Sequence, residues 1–177
     1  LAVLMWWSSN PLVPNGCRRH LTRSSAGRGI IHVMLEQRIQ QHFIDSADLH
    51  YQVAESLAKP VDAAVQAVLA CVTGGGKVLA GGMGPSAALA QYFVNMMVGG
   101  FERERPGLAA IALSADAVMA TRWNDDQTLS RQVLSLGQTG DVLVLISVDG
   151  AEGALAQAVQ AAHEREMTVL ALTGDRK

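Results

Sequence analysis

Two turns in this chain carry residues whose types and spacing suit chemistry. The first is Gly82-Met83-Gly84-Pro85-Ser86, which follows a short apolar run and precedes a helical pattern. Proline suits the first position of a helix, where its missing N–H costs nothing, and Gly84 lets backbone approach a ligand closely. Amide N–H groups at a helix start, with the Ser86 hydroxyl beside them, favour an anion. The turn is neither a Walker A loop, since it has no Gly-Lys-Ser/Thr, nor a Gly-x-Gly-x-x-Gly fingerprint. A glycine-rich turn that merely permits close strand–helix packing reads the same way. The second turn, Ser147-Val148-Asp149-Gly150-Ala151-Glu152, places Asp149 and Glu152 at the spacing of a helix N-cap and its N3 partner, an ordinary capping box. Asn124-Asp125, after Trp123, suits a turn.

The remaining reactive side chains do not cluster. His20, His32, His42, His50 and His163 show no metal-ligand spacing, and His42, His50 and His163 fall on solvated helix faces. Cys17 and Cys71 lie far apart; Cys71 sits on the apolar face of a predicted helix, as a buried free thiol would, and a reducing cytoplasm is the expected location.

The elements that must hold these turns follow from periodicity. Residues 1–33 have none and are expected to lie outside the domain, with targeting a minor alternative. From Met34 a helix is predicted to Leu57 on Leu35, Ile39, Phe43, Ala47 and Val53, and Pro60 is predicted to start a second one. In that second helix Val61, Ala64, Val65, Val68, Leu69 and Val72 form one buried stripe. Thereafter strands near 77–80, 108–113, 141–146 and 167–172 alternate with helices near 85–98, 128–136 and 151–164. Such alternation implies right-handed crossovers and an α/β, doubly wound parallel sheet with helices on both faces, in which ligands sit beyond the carboxyl ends of the strands. Thr173-Gly174-Asp175 looks like one more strand-to-helix turn, so a domain spanning 34–177 is expected to be incomplete at its C-terminus.

Composition agrees with one domain: 177 residues, 49% hydrophobic and only 5% aromatic. Residues 1–35 hold four arginines and no acid, so the body from Glu36 onward carries 10 bases against 16 acids, a formal charge of −6. An acidic body without a Lys/Arg run is a poor partner for nucleic acid. Apolar runs fall short of the ~18–20 residues that span a bilayer, so no membrane partner is expected.

The pattern also resembles a known family. Gly82-x-Gly84-x-Ser86, Glu104-Arg105-Pro106-Gly107 leading into Ala110–Ser114, Gly140-Asp141 leading to Ser147, and Met167–Gly174 occur in order as in the sugar isomerase (SIS) family. Within it they resemble the phosphoheptose isomerase branch, and most closely the DnaA initiator-associating proteins. The resemblance implies a three-layer αβα sheet of flavodoxin or Rossmann type, a homotetramer, and a sugar-phosphate site at Gly84, Ser86, Asn124, Asp125 and Ser147. In the family the first turn usually reads Gly-Asn-Gly-x-Ser and the second is rich in Ser and Thr; here Met83 replaces the Asn, and Val148, Asp149, Ala151 and Glu152 replace neutral polar residues. Asp149 and Glu152 are therefore expected to block a phosphate, since a carboxylate about 4 Å from a phosphate charge costs roughly 4 kcal/mol at an effective dielectric of 20. The isomerases also carry a His and a Glu one helical turn apart for metal binding and proton transfer between C1 and C2. The matching positions are Tyr92 and Met96, so no catalytic residue, metal or cofactor is expected, and the family's other catalytic His would lie past residue 177.

These features lead to the expectation of a non-catalytic protein acting through protein contacts on the replication initiator DnaA. Two alternatives stand beside it: a phosphoheptose isomerase converting sedoheptulose 7-phosphate to an aldoheptose phosphate, and a sensor that binds a sugar phosphate without turnover.

Overall fold

The computed structural model describes residues 25–113, 125–148 and 153–174, with side chains from Met34 onward and from Gln127 in α3. Its elements run α1 (Ser25–Thr73), β1 (Val78–Gly82), α2 (Pro85–Gly99), β2 (Ala110–Leu113), α3 (Asp125–Leu136), β3 (Val142–Ser147), α4 (Gly153–Glu164) and β4 (Thr168–Thr173). The chain divides into two compact units, Leu1–Leu57 and Ala58–Lys177, and the whole sheet belongs to the second.

The four strands are all parallel, in the order β2-β1-β3-β4. Val78 pairs with Ala110 on one side and Val142 on the other, and Val142 pairs in turn with Thr168. Strand alternation sorts side chains onto two faces. Val78, Ala80, Val142 and Val144 pack with Cys71 of α1 and Ala90 of α2, joined by Val68, Val72, Phe93 and Met97. On the other face Leu79, Leu143 and Leu145 meet Leu129 and Val133 of α3, and Leu155, Ala158, Ala161 and Ala162 of α4. The result is the expected three-layer sandwich. Its central strands are buried along both faces, as a parallel sheet requires.

The amino ends of β1 and β3 are tied by Asp141, whose carboxylate is buried. It accepts hydrogen bonds from the Lys77 amide (2.9 Å), the Gln138 amide (2.9 Å) and the Lys77 ammonium (2.6 Å). Burial alone would raise its pKa; the Lys77 and Gln138 donors outweigh that and hold the carboxyl below its ordinary value.

Three expectations for α1 need correction. Proline 60 does not start a new helix but lies inside one continuous 49-residue helix. Its missing N–H removes one hydrogen bond from the ladder, a local loss that the remaining bonds of a long helix absorb. Nor is the stripe from Val61 to Val72 buried as a whole. Val68, Cys71 and Val72 pack on the sheet while Val61, Val65 and Leu69 stay exposed. Val61 and Val65 precede the last turns of α1, which are the ones that lie on the sheet, and at 100° per residue Leu69 is turned about 100° from Val68 and about 60° from Val72. By length and composition Met34–Thr73 is long and apolar enough to cross a membrane, contrary to the sequence expectation. Its last turns pack on the sheet, while little of the apolar stretch is buried.

Candidate functional site

A doubly wound sheet opens a crevice where successive connections leave a pair of neighbouring strands in opposite directions. Here that point lies between β1 and β3, because the chain moves from β1 outward to β2 and then returns past β1 to β3. The turns leaving these two strands are the ones singled out in the sequence.

At the end of β1 the backbone is drawn close to its neighbours. A Cβ on Gly82 would stand 2.7 Å from the Ser86 carbonyl oxygen and 2.8 Å from that of Ile146, so only glycine fits. Gly84 is the residue before the helix, with φ 52°, and a Cβ there would meet nothing within 4 Å. Glycine is needed at Gly84 for its backbone angle, then, and no described residue fills the space above it. Pro85 opens α2 as expected, and no side chain caps the helix. The Ser86 and Ala87 amides donate to Met83 (3.0 Å) and Gly84 (3.2 Å) carbonyls, so these two N–H groups close the turn upon itself.

Ser86 is the junction of the site. Its side chain is buried, and its hydroxyl oxygen accepts a hydrogen bond from the Val148 amide at 3.1 Å. That bond joins the turn after β1 to the turn after β3. With one lone pair used, the hydroxyl keeps its proton to donate. Ser147 is also buried, and its carbonyl accepts from the Gly174 amide at 2.9 Å, which brings the end of β4 into the same group. Gly84, Ser86 and Ser147 are therefore brought together at the carboxyl ends of the strands. Asn124 and the side chain of Asp125 lie outside the described residues, as do Asp149 and Glu152, so the expected blocking pair and its capping box lie outside them too.

No sequence signal marks the backbone groups of Val148 and Gly174, since amides carry no side-chain identity. Nor does one mark Thr128, in the first turns of α3. Its neighbour Leu129 comes within 3.5 Å of where a Cβ on Gly81 would lie, at the carboxyl end of β1. Thr128 is buried, and among the described residues its hydroxyl has no hydrogen-bond partner.

Two expectations about reactive side chains are met among the described residues, while Cys17, His20 and the side chain of His32 lie outside them. His42, His50 and His163 are exposed. Cys71 is buried, donates to the Lys77 carbonyl at 3.4 Å, and has its thiol pKa pushed up by burial and then by the Asp141 carboxylate. An open polar cleft at the amino ends of the strands, around Gln138, Thr139 and Glu166, is self-satisfied: the Thr139 hydroxyl bonds Glu166 at 3.1 Å, and Arg165 bonds the Leu134 carbonyl.

Comparison with known proteins decides the family. The SIS domain pattern matches residues 41–174, three quarters of the chain. The chain belongs to the SIS domain family. This SIS domain is 57% identical over 145 residues to a phosphoheptose isomerase of Methylibium petroleiphilum, a match covering 80% of this chain and 72% of that one. The structure of phosphoheptose isomerase from Neisseria gonorrhoeae superposes with a TM-score of 0.73 at 39% identity, covering 80% of this chain and 76% of the other. That from Francisella tularensis gives 0.73 at 35% identity, covering 78% and 75%.

These findings overturn the expected non-catalytic role on DnaA. The relatives are named as isomerases, and nothing among them points to the replication initiator. The motifs behind that expectation, from Gly82-x-Gly84-x-Ser86 to Met167–Gly174, shape the sheet and its turns. Residues placed there report the fold and carry no information about a protein partner.

The family resemblance implies a divalent metal held by a His and a Glu on α2. The positions that would supply them are Tyr92, exposed, and Met96, half-buried. A neutral phenol and a thioether do not fit a hard divalent cation, which takes imidazole and carboxylate.

Proposed function

We propose that this SIS domain binds a sugar phosphate at the turns after β1, β3 and β4 and acts as a phosphoheptose isomerase, with sedoheptulose 7-phosphate as the substrate to test first. The observation that carries the reading is the 57% identity over 145 residues to a protein of that name. The site supports it physically. Ser86 holds the Val148 amide and keeps a proton to donate, and Gly84 leaves open space above the start of α2. A phosphate ester seated there would gain charge-assisted hydrogen bonds, about twice as strong as neutral ones. Ser86 and Ser147 are the proposed phosphate-contacting residues and Gly84 the backbone position that admits the ester. A cytoplasmic location belongs to the same reading.

Isomerisation moves a proton between C1 and C2 of the open-chain sugar, so it needs a group that can take and return one. Among the described residues of the three turns, none is a carboxylate or an imidazole. Tyr92 and Met96 specifically favour a second reading, in which the sugar phosphate is bound without turnover. Incubation with sedoheptulose 7-phosphate, followed by carbon NMR of the sugar, separates the two. Appearance of an aldoheptose phosphate supports the isomerase; an unchanged ketose spectrum, with binding measured separately, leaves the binding protein.

A further inference from the structure

We infer that sugar-phosphate binding by this chain is independent of any divalent cation on α2, because the face that would hold one has become neutral and largely apolar.

Three observations meet on that helix. Tyr92 and Met96 are four residues apart and so share a face, and Leu89 precedes them on it. Tyr92 and Leu89 are exposed, so the face is accessible and its composition is not masked by packing. Second, α2 carries no charged residue at all between Pro85 and Gly99. A divalent cation placed there would have no carboxylate on the helix to neutralise it. Third, among the described residues no group of three or more His, Cys, Asp or Glu side chains could hold a metal.

Donor chemistry points the same way. The phenol of Tyr92 stands where the divalent ions take an imidazole, and it offers them no nitrogen ligand. Met96 offers a soft thioether, which suits Cu(I) rather than the hard or borderline divalent ions. The proposed phosphate contacts lie instead at the strand-end turns, where the Ser86 hydroxyl accepts from the Val148 amide. Binding and metal dependence are thereby separated in space.

The test uses the whole chain. After chelator treatment and desalting, the protein is exposed in turn to Zn²⁺, Mn²⁺ and Co²⁺, desalted again, and assayed for bound metal by elemental analysis and for its melting temperature. The inference predicts less than a tenth of an equivalent retained on α2 and a melting temperature unchanged within about 1 °C. Calorimetric titration with sedoheptulose 7-phosphate should give the same Kd, within about twofold, with chelator or with metal present. If the chain retains about one equivalent and loses it when Tyr92→Phe is combined with Met96→Leu, the inference is overturned. Metal that persists in that double variant lies elsewhere and leaves the inference standing. If no sugar phosphate binds under any condition, the proposed function fails, while the metal measurements still decide this point by themselves.

Discussion

The Ser86 hydroxyl satisfies the Val148 amide and, under the proposed function, would also donate its proton to the phosphate. Ser86→Ala removes both. The stranded amide predicts a loss of about 1–2 kcal/mol, readable as a lower urea midpoint, and the lost donor predicts sugar-phosphate affinity weakened about tenfold in a calorimetric titration. Thr128 makes the opposite prediction. A buried hydroxyl without a partner costs desolvation and returns nothing, so Thr128→Val should raise the unfolding free energy by roughly 1 kcal/mol. No change or a loss on denaturant titration would mean that the hydroxyl finds a partner in solution. At this scale the sequence was partly legible. Gly84, Pro85 and Ser86 advertised their turn through backbone chemistry peculiar to those residue types. The bond from Val148 could not be read, because any residue but proline supplies the same amide.

Among the elements, the strands were legible because burial on both faces demands unbroken apolar runs, and Val78–Ala80 and Val142–Leu145 are such runs. Helix α1 was less so. Periodicity marks which residues are apolar, but Val61, Val65 and Leu69 are apolar and exposed, and the local proline rule lost to a long, otherwise intact ladder at Pro60. Asp141 looked like the ordinary start of a strand, yet it clamps β1 to β3 through three donors. Its carboxyl is held below the ordinary value of 3.8 in the folded chain, so the unfolded chain takes up the proton first on acidification. The stability it contributes is complete above that value and is lost as pH falls through the lower, folded-state value. Denaturant midpoints measured from pH 7 down to pH 3 should therefore drop at the acid end, and Asp141→Asn should flatten that drop. The same variant should cost about 2–3 kcal/mol at neutral pH, less than a fully buried pair because Lys77 remains in contact with water.

For the molecule as a whole, fold and function were legible to different depths. The order of strands and turns carried the SIS architecture, since sheet topology and turn chemistry must agree along the entire chain. It did not carry a partner, because residues that shape a sheet and its turns report the fold and not what binds its surface. The exposed apolar row Val61, Val65 and Leu69, in the same unit as the sheet, predicts association between copies, seen as a light-scattering mass that is a multiple of the single chain. The central claim concerns the ester group: the joined turns after β1, β3 and β4 exist to hold a phosphate. Titration calorimetry with sedoheptulose 7-phosphate and with unphosphorylated sedoheptulose, side by side, tests it most directly. The account predicts saturable binding of the phosphate ester and binding of the free sugar at least about a hundredfold weaker, the share of affinity that charge-assisted bonds to one anion supply. Equal affinities for the two sugars, or binding of neither, would contradict it.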